Sequence, residues 1–181
     1  QQERWEEQSG YSPSTTAAIV AGLITASDIA TLSGDDKNAQ RYLATAKKYS
    51  NDIESQMFTT EGNLKGENSD CEYFIRIGQD TDANSNTKIN ANNGREGFNK
   101  KQILDGGFLE LVRYGVRGAN DESIVKTLPE YDDETLEDNL QVKYSFSFDD
   151  GSGTFAGYRR YGNDGYGEDE VTGANYAQGG K

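Results

Sequence analysis

Ser12-Pro13-Ser14-Thr15-Thr16-Ala17-Ala18-Ile19-Val20-Ala21-Gly22-Leu23-Ile24-Thr25-Ala26-Ser27-Asp28-Ile29-Ala30-Thr31-Leu32 predicts one long helix. Ser12 supplies a hydroxyl at the cap position, and Pro13 has its φ pre-set for the first turn. Ala17, Ile19, Val20, Ala21, Leu23, Ile24, Ile29, Ala30 and Leu32 spread apolar surface over a face too wide for a surface helix. Gly34 offers a stop. A second helix is expected from Asp36 to about Met57, because Ala39, Tyr42, Leu43, Ala46, Ile53 and Met57 recur at three- and four-residue spacing. The linker between them is short, so the two should pack antiparallel.

Beyond Met57 the pattern changes. Tyr73-Phe74-Ile75-Arg76-Ile77 reads as a short strand, and Asn93-Gly94 as a tight turn. A third helix is expected from Lys100 to Val116, through Ile103, Leu104, Phe108, Leu109, Leu111 and Val112. Its Gly106-Gly107 pair costs ~1 kcal/mol per glycine relative to alanine, which close packing would offset. Asp121 should cap a fourth, shorter helix through Ile124, Val125 and Leu128, interrupted at Pro129. Val142-Lys143-Tyr144-Ser145-Phe146-Ser147-Phe148 alternates with period two and reads as a strand; the tail from Asp149 reads as loop. Four helices joined by alternating short and long connections make a mainly α array of hairpins. The long loops hold short strands, and in such arrays the functional residues sit on those loops.

Composition narrows the chemistry. Only 33% of the 181 residues are hydrophobic and mean hydropathy is -0.87, so the chain has limited apolar surface with which to offset backbone ordering. Part of its core is therefore expected from polypeptide outside these residues. Disorder is disfavoured by 11 Tyr, 7 Phe and one Trp. A net charge of -13 repels nucleic acid and anionic membranes but suits a neutral substrate. Cys71 stands alone, so no internal disulfide can form, and the absence of histidine removes His-based triads and most zinc sites. No apolar run is expected to reach the ~18 residues that span a bilayer. Chemistry must rest on carboxylates, Arg, Tyr, Ser or Lys.

Arg4-Trp5-Glu6-Glu7-Gln8, with Gly10-Tyr11-Ser12-Pro13 behind it, is the first place such chemistry could sit. Acidic residues ahead of a helix can simply complement its dipole, which accounts for Glu6 and Glu7 but not for Trp5. A Trp against a carboxylic acid makes an apolar wall that disfavours ionisation, and its face can stack on a sugar ring. Asp80-Thr81-Asp82-Ala83-Asn84-Ser85-Asn86 has the alternating oxygens of a calcium loop, but Ser85 stands where glycine is needed and Ala91 where a bidentate Glu is needed. An ordinary polar loop is the better reading there. Asp149-Asp150-Gly151 reads as a turn.

The stretch Gln2-Glu3-Arg4-Trp5-Glu6-Glu7-Gln8-Ser9-Gly10-Tyr11-Ser12-Pro13-Ser14-Thr15 resembles the acid-catalyst segment of the glucoamylase family, glycoside hydrolase family 15, in its bacterial and archaeal form. The resemblance continues at Tyr73-Phe74-Ile75-Arg76-Ile77, at Phe108-Leu109-Glu110-Leu111-Val112-Arg113-Tyr114-Gly115-Val116, and at Tyr158-Arg159-Arg160-Tyr161-Gly162-Asn163-Asp164-Gly165-Tyr166-Gly167. It implies that residues 1–181 form about four helices of an (α/α)6 barrel, a partial catalytic domain whose remaining helices lie outside the chain. It also implies an exo-acting, inverting α-glucoside hydrolase that frees glucose from non-reducing ends of α-glucans. Glu6 would be the general acid, with Trp5, Glu7 and Arg160 binding substrate; Arg160 has a structural alternative, pairing with Asp164.

The family's general base is a Glu well beyond the Arg160 motif, so the resemblance further implies companion polypeptide supplying it; no cofactor is expected, with calcium at the Asp80-Asn86 loop as the alternative. Glucodextranase, trehalase and dextrin-to-dextran transglucosylase share the acid motif, and a non-catalytic carbohydrate-binding protein on this scaffold is the alternative of another class. A polymeric glucan substrate lies outside cells, which implies secretion.

Overall fold

The structure, a computed structural model, describes residues 1–67, 69–89, 97–137 and 139–164. The expected turn at Asn93-Gly94 lies outside the described residues, as does the end of the last motif from Gly165 onward. The architecture is mainly α with short strands in the long loops, as the residue pattern predicted.

Helix α1 (Pro13–Leu32) and helix α2 (Asp36–Asn51) form the expected antiparallel pair. Gly34 turns the corner at φ +74, a left-handed conformation that residues with a Cβ seldom adopt. Asp35 then caps α2 by accepting from the Asn38 backbone N–H at 3.1 Å, and Ser27 Oγ ties the two helices by donating to the Ala39 carbonyl at 2.9 Å. The second helix does not run unbroken to Met57. It stops at Asp52, and α3 (Ile53–Met57) continues as a separate short helix. Ser12 occupies the cap position of α1, but its hydroxyl pairs with Ser14 Oγ rather than with a helix N–H.

The broad apolar face of α1 is only partly covered. Ala17, Val20 and Ala30 are buried, whereas Ile24 and Ile29 are exposed and Leu32 is 89% exposed; Leu43 on α2 is exposed as well. The expectation that no run approaches membrane-spanning length is also corrected: by length and composition, α1 is long and apolar enough to cross one.

The loops behind the helix pair hold the main core. Strand β1 (Phe58–Thr59) pairs antiparallel with β2 (Tyr73–Phe74), and the extended chain runs on to Ile77. Alternation along this segment sends Tyr73, Ile75 and Ile77 into a cluster with Leu64, Ile103, Leu104, Leu140 and Tyr161. Phe74 faces a second cluster with Ala17, Ile53, Met57, Phe108, Leu111 and Ile124. The segment therefore joins the loop core to α1.

The predicted third helix is corrected. Lys100–Gln102 and Gly106–Phe108 form single 3₁₀ turns, and only Leu109–Arg113 is α-helical, as α4. The reason lies in the backbone between the turns. The Ile103 carbonyl accepts from the Arg76 N–H at 2.9 Å, and the Leu104 carbonyl from the Gly162 N–H at 2.8 Å. Carbonyls engaged sideways with other segments cannot serve an i→i−4 ladder. The glycine pair sits where neighbours crowd, since a Cβ on Gly106 would lie 2.9 Å from the Tyr131 hydroxyl.

Helix α5 (Glu122–Tyr131) runs through Pro129 rather than ending there, so close to its C-terminus that little of the ladder is disturbed. Asp121 is at its cap position, yet its carboxylate accepts from the Gly118 N–H instead of from the helix. Strand β3 (Lys143–Phe148) matches prediction, while part of the tail read as loop is strand β4 (Gly153–Tyr158), paired antiparallel with it. Asp149-Asp150-Gly151 makes the turn between them, with Gly151 at φ +78.

Glu130, near the end of α5, is fully buried; one carboxylate oxygen accepts from the Cys71 N–H at 3.3 Å and the other has no partner among the described residues. Burial is the main cause that pushes its pKa above the ordinary carboxylate range. An acid whose folded pKa is raised stabilises the fold fully below its unfolded pKa, and that stability is lost as pH rises through the folded value. Glu130→Gln should therefore gain stability relative to the parent at pH 8 and gain much less near pH 4. Thermal unfolding of the variant at the two pH values checks this; an equal effect at both would refute it.

Candidate active site

The N-terminal segment closes on itself before α1 begins. Gln2 and Ser9 bridge, the Glu3 N–H donates to the Gln8 carbonyl at 3.0 Å, and the Glu6 N–H donates to the Glu3 carbonyl at 3.0 Å. Tyr11 and Gly78 exchange backbone hydrogen bonds of 2.7 and 3.0 Å, which fixes this loop to the extended segment carrying Arg76. Gly10 permits the approach, because a Cβ there would stand 2.4 Å from the Gly78 carbonyl oxygen.

Within the loop, Glu3 is 2% exposed and does three things at once. Its Oε2 accepts from the Trp5 N–H at 2.7 Å, its Oε1 accepts from the Glu7 N–H at 3.0 Å, and Oε1 also accepts from Arg76 Nη2 at 3.1 Å. Between those two clamped amides stands Glu6, at φ +59. A left-handed conformation at a non-glycine residue costs of order 1–2 kcal/mol, so the surrounding bonds must hold it. The Glu6 side chain is exposed, and its carboxylate has no partner among the described residues.

Glu7 is engaged elsewhere. It pairs with Arg160 Nη1 at 3.0 Å and with Arg76 Nη2 at 3.6 Å, and it accepts from the Tyr161 hydroxyl. Burial, then the bond to Glu7, holds the Tyr161 phenol above its usual pKa, so it keeps its proton and donates. Arg160 is gripped in a two-bond fork by Asp164, Nε–Oδ2 and Nη2–Oδ1 each 2.7 Å. Burial works against its charge, but the Asp164 carboxylate outweighs that and raises its pKa. The structural pairing offered by sequence is thus present, and the remaining nitrogen reaches Glu7.

Trp5 packs on the loop core with the guanidiniums of Arg4 and Arg160 at 4.7 and 5.2 Å from its ring. Its indole N–H is buried without a partner among the described residues. The reading of Glu6 and Glu7 as companions of the helix dipole is corrected: no acidic residue lies in the first turn of α1, and both sit on a separate turn ahead of it.

Sequence reasoning missed Glu3, Tyr161 and the hub role of Arg76. Arg76 is fully buried, bonds Gln8 Oε1 at 3.1 Å and lies 3.6 Å from the Tyr161 ring centroid. An arginine between two isoleucines of a strand was the available signal, since a buried charge demands partners. Asp105, also buried, caps the Gly107 N–H at 2.7 Å and pairs with Arg4 at 3.7 Å; burial raises its pKa against the pull of Arg4.

The calcium-like loop is turned on an internal cation. The Lys100 ammonium, fully buried, sits 2.5 Å from Asp80 Oδ1 and donates to the Asp82 carbonyl, while Lys101 donates to the Asn84 carbonyl at 3.0 Å. Among the described residues no cluster of His, Cys, Asp or Glu is arranged to hold a metal.

Carboxylates, guanidiniums and an indole gathered around one turn ahead of a helical hairpin could offer a sugar both hydrogen bonds and a stacking face. The family model of glycosyl hydrolases family 15 matches residues 1–177, and the chain belongs to that family. It is 38% identical over 171 residues to a glucoamylase from Clostridium sp. (strain G0005), covering 94% of this chain and 22% of that protein. It also superposes on the crystal structure of a bacterial glucoamylase complexed with acarbose, with TM-score 0.81 and 38% identity, over 96% of this chain and 23% of that one. The fold is accordingly part of an (α/α)6 barrel, and the chain spans less than a quarter of the length of these two relatives.

Proposed function

We propose that this chain contributes the acid half of an exo-acting, inverting α-glucoside hydrolase that releases glucose from non-reducing ends of α-glucans. The observation that carries the reading is the division of labour between adjacent carboxylates: Glu7 is tied to Arg76, Arg160 and Tyr161, while Glu6, on a left-handed turn, is left open to a partner from outside. A proton donor must reach substrate, and its neighbours must be spoken for.

In the proposed reaction the Glu6 carboxyl gives its proton to the glycosidic oxygen as the bond to the anomeric carbon breaks. A second carboxylate, roughly 6.5–9.5 Å away across the sugar, takes a proton from the water that attacks the opposite face. That base comes from polypeptide outside these residues, whose helices would also cover Ile24, Ile29 and Leu32 of α1. Trp5 stacks on the sugar, and Arg160 and Glu7 bind its hydroxyls. No cofactor is needed, and secretion follows from a polymeric substrate. Complex formation between a bacterial glucoamylase and acarbose, a carbohydrate inhibitor, supports an oligosaccharide ligand for this family member.

The test is stereochemical. The complete enzyme acting on maltotriose should release glucose first as the β-anomer, seen by proton NMR before mutarotation. Initial α-glucose, or no glucose, would refute the inverting reading.

A further inference from the structure

Glu3 has both carboxylate oxygens committed within the site, and it faces no solvent: it is 2% exposed. Its two oxygens span the turn, one on the Trp5 N–H and the other on the Glu7 N–H. These are the amides on either side of Glu6. The Glu6 backbone is thereby pinned at φ +59, with its own N–H on the Glu3 carbonyl. Arg76, itself fully buried, neutralises Glu3 from behind at 3.1 Å and links it to Glu7 at 3.6 Å. Nothing else among the described residues grips the side chain of Glu6, so its direction is set by its backbone alone.

We propose that Glu3 is a positioning residue for proton transfer: its buried carboxylate holds the left-handed turn that aims the Glu6 carboxyl at the glycosidic oxygen. This rests on the assignment of Glu6 as the acid. A carboxylate is needed because both amides donate and only a group with two acceptor oxygens can satisfy them together. Glutamine at the same position keeps the length but puts an NH₂ donor against an N–H donor, so one side of the turn lets go. A misplacement of about 1 Å at a reacting group can cost about 100-fold in rate.

The experiment compares two substrates in one enzyme sample. Maltose has a poor leaving group and needs the acid, whereas α-glucosyl fluoride departs as fluoride and needs little protonation. In the complete enzyme, Glu3→Gln should lower kcat on maltose by about 100-fold with KM nearly unchanged, and lower it on the fluoride by less than about 5-fold. The ratio of the two rates is independent of how much protein is folded, so a stability defect cannot imitate the result. Glu6→Gln is measured alongside. If it collapses the ratio while Glu3→Gln leaves the ratio intact, the positioning role is overturned alone. If Glu6→Gln itself leaves the ratio intact, the acid assignment is overturned and this role with it.

Discussion

Glu6→Gln in the complete enzyme should lower kcat on maltose by about 1,000-fold while KM moves by less than about 3-fold. The amide is nearly isosteric, so the sugar contacts proposed for Trp5, Glu7 and Arg160 should persist, but it has no acidic proton to give to the departing oxygen. The structure sharpens this expectation. Because the Glu6 carboxylate has no partner among the described residues, its loss unpairs nothing and should leave stability within about 0.5 kcal/mol of the parent. A large kinetic defect in a normally stable protein is the signature of a group that acts on substrate. Near-parental turnover would end the assignment of Glu6 as the acid.

Arg76→Met should behave in the opposite way, as a stability variant first. Arg76 has no exposed surface and faces Glu3, Glu7 and Gln8, with its guanidinium against the Tyr161 ring. Removing a buried charge strands the carboxylates opposite it, which costs about 3–5 kcal/mol. Removing Glu3 as well should cost less than the sum of the two single losses, because the stranded carboxylate goes with its partner even though the Trp5 and Glu7 amides lose their acceptor. Denaturant unfolding of the complete enzyme should therefore find Arg76→Met with Glu3→Leu clearly more stable than the sum of the two single losses would make it. A double variant as unstable as the sum of its singles would mean that Glu3 and Arg76 do not act as a pair. Activity should stay low in the double variant, since the turn at Glu6 loses its clamp.

Much of the scaffold was readable from side-chain spacing. Pro13–Leu32 and the start of α2 followed from apolar periodicity and a glycine stop, both local signals. The third helix failed because Ile103 and Leu104 are buried for a different reason: their carbonyls bind Arg76 and Gly162, partners far away in sequence. Periodicity reports burial, not who accepts the hydrogen bonds. Strand β4 was missed because Gly153 and Gly157 break its alternation, and the pairing of Phe155 with Phe146 is invisible until the hairpin is closed. At the site, resemblance picked out Trp5, Glu6, Glu7 and Arg160, the groups that would meet a sugar. Glu3 and Tyr161 escaped because their task is to hold other residues, and that depends on contacts no spacing rule encodes.

The bond from Tyr161 to Glu7 joins positions 154 residues apart. Arg76, from the middle of the chain, is wedged between these two ends. Closing so long a loop is entropically slow, and every segment between must already be in place. The turn that carries Glu6 therefore reaches its final geometry only once the segment around Tyr161 has joined it, so contacts of high sequence separation decide when the Glu6 carboxyl is held in place.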